Sequence, residues 1–520
     1  MSSLSRYTNL YAAIAKLEAN HKEPELIPSK YSFPFPNMYS SQGEILEKVQ
    51  TGESFLLSSH TGWGKSPVFL TLTRGTPSIV IEPRIFLQQQ LITYFNDYPL
   101  YGRSKYPCLH ASNAGIAPCL LKDDCGATTC RETCPNATTT CIAKECKVFP
   151  VGKEWVKYPC SDCEYLKAQQ EAVKVLKDNG TVICNFGNFW SLLRLAKTVV
   201  VDEAGSFFKS INAPAKLRYS LPKKYPNDTI KELLQREVKG LQEGGKSADA
   251  GLRYKITNML YNIQFLIANH DLCFMYQKKD SFFIEIDPRN VNVLSEKLFK
   301  GKRVIIVSAT PGAFALPSYS AEIHQRCGIF FAPVGNMTSK SLASNPYLMS
   351  SAAKCIREIS DYFEMVYDNE HVIIHSSNLN THGRGIYNCL GEKDCVLHSA
   401  GKLAETISDY LLSGKRYLIV ASAEEGLDAP WAKLQFILKH PYGNMDEQMR
   451  TLQRLMGPEF NEYYEGSARN RVTQSVGRNV RGFDDFGVSI CIDSKSHEDY
   501  VKHKDKYPTW LQSRVDPRIY

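Results

Sequence analysis

Eight short runs of branched apolar residues constrain this chain more than any other feature. They are Phe55–Leu57, Ile79–Ile81, Val199–Val201, Val304–Val307, Val372–Ile374, Leu418–Ala421, Phe436–Leu438 and Val488–Ile492. Each is too short for a helix, and each leads into a polar or glycine-containing loop and then a helix-like pattern. Near-continuous apolar runs of this kind are strands buried on both faces, as in a parallel sheet flanked by helices. The first four and the last four form two series, so the fold class is α/β with two doubly wound domains. A chain of 520 residues has room for both and for one or two further units.

Two segments interrupt the first series. Nine of the 16 cysteines lie between Cys108 and Cys163, with the other seven scattered. Without the charged start and apolar run of a secretion signal in the first 19 residues, such clustering points to a metal centre rather than disulfides. The second segment, 206–300, spaces Leu252, Ile256, Met259, Leu260, Ile263, Leu266 and Ile267 for one face of a helix and reads as a mostly helical insertion whose stripe packs into a core. It carries 16 Lys and Arg against 10 Asp and Glu, most of the formal net charge of +8, which suits contact with a polyanion. No apolar run reaches the roughly 18 residues of a membrane span. The expectation is an intracellular protein, cytoplasmic or nucleoid-associated, with no membrane partner.

The chemistry is concentrated at strand ends. After Phe55–Leu57 comes Ser58-Ser59-His60-Thr61-Gly62-Trp63-Gly64-Lys65-Ser66, a Walker A pattern with Ser59 in place of the first glycine. Thr61, Gly62, Trp63 and Gly64 would wrap phosphates with backbone N–H groups. Lys65 would hold the β and γ phosphates of ATP, and the Ser66 hydroxyl would ligate Mg²⁺. Val199–Val201 ends in Asp202-Glu203, a Walker B pattern in which Asp202 binds Mg²⁺ and Glu203 polarises the attacking water. Then follow Ser308-Ala309-Thr310, Glu425-Gly426-Leu427-Asp428 and Gln474-Ser475-Val476-Gly477-Arg478-Asn479-Val480-Arg481. Each motif is weak alone; their order and their positions after strands carry the argument.

That series resembles the superfamily 2 helicases, and specifically the XPD and DinG family, over nearly the whole chain from Gln42 to Asp493. The resemblance implies two RecA-like motor domains. Gln42 is similar to the upstream glutamine that reads adenine, and Glu82-Pro83-Arg84 through Gln90 resembles motif Ia, which touches the nucleic-acid backbone. His375-Ser376-Ser377-Asn378 resembles motif IV. Glu425, Gly426 and Asp428 fall in a further nucleotide-site motif. Gln474, Gly477, Arg478 and Arg481 match motif VI, where the arginines reach the γ-phosphate across the domain cleft. Gly205 stands where relatives carry the histidine that links the ATP site to motif III, which bears on coupling rather than on ATP binding.

The cysteine segment lies where the family places its iron–sulfur domain. Gly102 through Cys108 resembles the entry and Cys163-Glu164-Tyr165 the exit, with Glu164 in place of the usual proline. The resemblance therefore makes Cys108 and Cys163 ligands of a 4Fe-4S cluster, with two more from Cys119, Cys125, Cys130, Cys134, Cys141, Cys146 and Cys160. The spacings themselves match no narrow template and suit four-thiolate iron–sulfur and Zn²⁺ sites alike, and the surplus cysteines leave room for an additional zinc. The expected organisation is a first motor domain of 1–107, 164–205 and 301–337, a cysteine-rich domain of 108–163, a helical arch-like insertion of 206–300, and a second motor domain of 338–520. The polar stretch Thr338–Asn345 marks their junction. In the family the two insertions form a channel for single-stranded nucleic acid, where Phe207, Phe208 and Tyr219 could stack on bases or serve as core. The leading function is an ATP-dependent DNA helicase acting on single-stranded and forked DNA, 5′ to 3′ by resemblance, as a monomeric motor. Two alternatives stand beside it: a translocase that remodels nucleoprotein or R-loops, including RNA, without processive unwinding, and a non-catalytic nucleic-acid-binding protein with a decayed motor.

Overall fold

The computed structural model of the chain describes residues 7–19, 24–49, 52–59, 63–82, 85–102, 106, 146–151, 154–158, 164–204, 215–217, 229–245, 259–260, 262–279, 281–308, 315–320, 326–398, 403–421, 429–476, 478–480 and 485–520. Two seven-stranded sheets, each parallel throughout, dominate these residues. The first runs in the spatial order Ser318–Ser320, Phe55–Ser58, Arg303–Ser308, Thr198–Asp202, Ser78–Ile81, Thr181–Cys184, Tyr98–Leu100. The second runs Cys395–Leu397, Tyr417–Ala421, Val372–Ser376, Leu434–Ile437, Phe486–Asp493, Arg326–Gly335, Val515–Ile519.

All eight predicted strands are present, and their burial explains why. Val199, Val200 and Val201 are 0% exposed, as are Val372, Ile373 and Ile374, so helices cover both faces. Some of the strands not legible in the sequence are only three residues long, such as Tyr98–Leu100 and Cys395–Leu397. Among the covering helices, Tyr347–Tyr367 buries Leu348, Ala352, Ile356, Ile359 and Phe363 from one stripe onto the second sheet. It stops at Asp368, whose φ of 50° is left-handed.

Two boundaries differ from the sequence expectation. The strand Arg326–Gly335 pairs with Phe486–Asp493 and Val515–Ile519 and so belongs to the second sheet. The chain therefore crosses between 320 and 326, before the expected junction near 338, because the pairing of Phe330 and Phe331 outweighs the polar signal at Thr338–Asn345. That stretch is instead a short helix, Ser339–Ser344, capped by Thr338. The N-terminal helix Thr8–Ala19 also leaves the first domain: Tyr7, Leu10, Tyr11 and Ile14 join the core of the second sheet.

Both insertions return to the first sheet. Tyr106 and Tyr165, on either side of the cysteine-rich segment, meet with ring centroids 5.5 Å apart, so that excursion begins and ends at one place. Within it, Cys146–Val151 and Glu154–Tyr158 form an antiparallel hairpin. Of the helical stripe expected in the second insertion, residues 259–260 and 262–268 are helical with Ile263 and Leu266 buried, while Leu252 and Ile256 lie outside the described residues; a further helix, Ile230–Gly245, was not singled out by the sequence. The insertion is not helical throughout: Ala215–Leu217, Ser281–Ile286 and Cys273–Lys278 form a three-stranded antiparallel sheet. Alternation in Ser281–Ile286 and Cys273–Lys278, not the stripe before them, sets that structure. Among the described residues no helix is long and apolar enough to cross a membrane.

Candidate nucleotide site and helicase motifs

The carboxyl ends of parallel strands are where an open α/β sheet presents its chemistry. In the first sheet, four neighbouring strands end in Ser58, Ser308, Asp202 and Ile81, which carry the Walker A loop, the Ser308 motif, the Walker B acids and Glu82. Four motifs far apart in sequence thus share one edge.

The loop after Ser58 turns into the helix Lys65–Thr71 through Gly64, whose φ is +82°. A Cβ at Gly64 would also lie 2.6 Å from Gln42 Nε2, so backbone angle and space both demand glycine. Pro67 is tolerated because it lies in the first turn, where N–H groups have no helical partner. Lys65 Nζ donates to Ser59 O at 3.1 Å, which draws the ammonium back over the loop. The Trp63 side chain faces inward. It is 3% exposed in the core, and its indole N–H donates to Ser41 Oγ at 3.1 Å. Ser66 is partly buried in the first turn. Thr61 and Gly62 lie outside the described residues.

Gln42 is 4% exposed and uses both ends of its amide. Tyr39 N donates to its Oε1 at 2.9 Å, while its Nε2 donates to Trp63 O at 2.9 Å and Gly64 O at 3.3 Å. The residue therefore ties the helix Ser40–Lys48 to the loop at Trp63 and Gly64.

Asp202 and Glu203 close the same edge. Glu203 has a φ of +51°, a left-handed angle that costs a non-glycine residue energy, and its N–H donates to Asp202 Oδ1 at 3.0 Å. Burial, with Glu203 as a second cause, holds the Asp202 carboxyl above the usual carboxylate range, against the opposing pull of Lys65. One contributor was not legible as such in the sequence. Glu82, read as part of motif Ia, is 0% exposed and hydrogen-bonds through its side chain to Asp202. Its backbone is held by Gln88, whose Nε2 donates to Glu82 O at 2.6 Å. The signal was adjacency: Glu82 directly follows the strand beside the Walker B strand, which only the sheet order reveals.

Motif VI lies on the second sheet. Gln474 is in the last turn of the helix Glu459–Ser475, and its carbonyl accepts from Arg478 Nε at 2.8 Å. Arg478 is 6% exposed, and its own carbonyl accepts from Ala429 N at 3.0 Å. His375, at the motif IV strand end, is buried, and burial brings its pKa down to about 4, so the ring is neutral. Asn378 caps the following turn by accepting from Asn380 N and Thr381 N. Glu425, Gly426, Asp428, Gly477, Arg481, Gly205, Pro83, Arg84, Ala309, Thr310, Phe207, Phe208 and Tyr219 lie outside the described residues. So do Cys108, Cys119, Cys125, Cys130, Cys134, Cys141, Cys160 and Cys163; Cys146 opens a strand. Among the described residues, Glu465, Asp499 and His503 could hold a metal ion, but the buried Arg469 guanidinium lies 3.3 Å from Asp499 and 3.9 Å from Glu465 and supplies the positive charge there.

No curated protein matches this sequence. Solved structures match its fold. The structure of S. tokodaii Xpd4 has a TM-score of 0.52 at 11% identity, over 91% of this chain and 99% of that one. A structure described as an XPD helicase gives 0.52 at 12% identity, over 90% of this chain and 98% of that one, and an apo XPD structure gives 0.51 at 12% identity with the same coverage. In sequence, the helicase C-terminal domain family matches residues 377–514, which take in motif VI. The chain thus carries a helicase C-terminal domain over residues 377–514 and shares its two-sheet fold with solved XPD structures.

Proposed function

We propose that this chain is an ATP-dependent DNA helicase that couples ATP hydrolysis to movement along single-stranded DNA, 5′ to 3′ as in the family it resembles, and separates duplex at a fork. The observation that carries the reading is the shared edge of the first sheet, where Lys65, Asp202, Glu203 and Glu82 converge. Phosphoryl transfer to water needs charge arranged around the transferring group more than it needs covalent chemistry. Lys65 supplies a cation for the phosphates, and Arg478 supplies a second from the other motor domain. Asp202 and the Ser66 hydroxyl are hard oxygen donors that suit Mg²⁺, which when bound neutralises developing negative charge. Glu203 orients the attacking water. Because the charges come from two domains, closure would complete the site and tie hydrolysis to movement of a bound strand.

The cysteine-rich segment is the proposed iron–sulfur domain. Its support is the clustering of nine cysteines in an excursion whose two ends meet at Tyr106 and Tyr165. Iron and sulfide analysis of protein purified without oxygen tests it, and zinc without iron or sulfide would refute it. The motor reading is tested by ATPase assays of the wild type with and without single-stranded DNA, beside strand separation on 5′-tailed and 3′-tailed duplexes. DNA-stimulated turnover with unwinding of the 5′-tailed substrate is expected. Stimulation without unwinding would favour the remodelling translocase, and absence of turnover would favour a decayed motor.

A further inference from the structure

Successive side chains in a strand point to opposite faces, so register decides which residues share a face. Ile373 pairs with Gln435 and Gln435 with Ser489, while His375 lies two residues beyond Ile373. His375, Gln435 and Ser489 therefore form a polar row on one face of the second sheet, among apolar neighbours such as Ile373, Ile437 and Cys491. Gln435 is 0% exposed and Ser489 1%.

The Gln435 amide is used at both ends. Its Oε1 accepts from His375 Nε2 at 2.9 Å, and its Nε2 donates to Ser489 Oγ at 2.7 Å and to Ser475 O at 3.0 Å, with Asn479 Oδ1 at 3.5 Å. Ser475 is the last residue of its helix, and Asn479 directly follows Arg478. The amide thus grips the motif VI segment on both sides of the arginine. Other contacts hold the same segment to the sheet. Asn479 Nδ2 donates to Lys433 O at 3.3 Å, and a Cβ at Gly487 would lie 2.7 Å from Asn479 Oδ1. Burial keeps His375 neutral, so its one ring proton sits on Nε2 to donate to Gln435 Oε1.

A leucine or methionine would fill such a site without the cost of desolvating an amide. What an amide adds is direction, since its bonds fix the helix end in both position and rotation. We propose that Gln435, supported by His375 and Ser489, is a positioning residue for Arg478, holding the motif VI turn in the one register from which the guanidinium can serve the transition state. This rests on the motor reading above, in which Arg478 acts on the γ-phosphate.

The test is a double-mutant cycle on the full chain, measuring DNA-stimulated ATP turnover, KM for ATP and thermal melting. Gln435→Met should lower kcat about tenfold with KM for ATP within about twofold, the pattern of an interaction made only in the transition state. In an Arg478→Ala background the same substitution should cause little further loss, because the group it positions is gone. Ser489→Ala removes one hydroxyl and serves if Gln435→Met fails to fold; a smaller loss of kcat, again absent beside Arg478→Ala, is expected. Equal fold-losses in both backgrounds, or a rise in KM with kcat unchanged, would overturn the proposal while leaving the motor reading intact. A wild type with no ATPase activity would instead overturn the motor reading and this inference with it.

Discussion

Gly64 concentrates two requirements in one residue, a left-handed φ of +82° and a Cβ position 2.6 Å from Gln42 Nε2. Gly64→Ala should therefore distort the phosphate loop, and nucleotide affinity measured with a fluorescent ATP analogue should fall at least about tenfold. Glu203→Gln should behave oppositely, keeping nucleotide affinity while hydrolysis falls by about 100-fold or more, since the phosphate cradle is untouched. Affinity lost in Glu203→Gln would instead place the Glu203 carboxylate in nucleotide binding. His375 supports a pH prediction. Its folded pKa, about 4, lies below the ordinary value of 6.5, so protons bind the unfolded chain first. Its stabilising contribution is complete above pH 6.5 and is lost as pH falls toward 4, by about 2 kcal/mol between pH 7 and 5. Urea denaturation of wild type and His375→Asn at both pH values should show a steeper loss in the wild type.

At the scale of elements, the N-terminal helix Thr8–Ala19 is held more firmly than its position suggests. Leu10 and Ile14 are 0% exposed, Tyr11 stacks on Tyr362 with centroids 3.7 Å apart, and a Cβ at Gly328 would strike Leu17 at 2.6 Å. Leu10→Ala should cost roughly 2–5 kcal/mol, as for other buried large-to-small changes. The expected readout is an earlier denaturant midpoint for the domain of the second sheet; a midpoint within error of wild type would mean that the helix is an appendage. The amphipathic pattern of this helix is visible in sequence, but its partner is not. Its apolar face could equally suit the first sheet, which it precedes, and only the shape complementarity at Gly328 and Tyr362 assigns it to the second.

For the whole molecule, the hairpin of the second insertion reaches across to the domain of the second sheet. Phe274 and Tyr276 pack with Leu452, Met456 and Phe460. Lys278 pairs with Asp446 at 2.9 Å, and Gln448 Nε2 donates to Glu285 Oε2 at 2.6 Å. Exposed pairs such as Lys278–Asp446 contribute little, so the aromatic and aliphatic contact should dominate. Phe274→Ala and Leu452→Ala should each destabilise the chain, with a coupling of about 0.5–3 kcal/mol in the double mutant. Strict additivity would mean that the two side chains do not share a contact in solution.

What the sequence determined by itself was whatever is local or periodic. The runs Val199–Val201 and Val372–Ile374 specify buried strands because they are β-branched, too short for a helix and followed by turn signals. The turn from Ser58 into the helix at Lys65 is legible because glycine, lysine and serine stand at fixed spacing after a strand, and the candidate motif at Gln474 and Arg478 is legible in the same way. Tertiary structure decided what depends on neighbours distant in sequence. Strand order brought Glu82 beside Asp202, and register put His375, Gln435 and Ser489 on one face behind Arg478. Pairing moved Arg326–Gly335 into the second sheet, against a polar boundary signal. The physical reason is that hydrophobic pattern says how strongly a segment must be buried but is nearly silent about its partner, whereas hydrogen-bond direction and close packing choose that partner and exist only once the chain has folded.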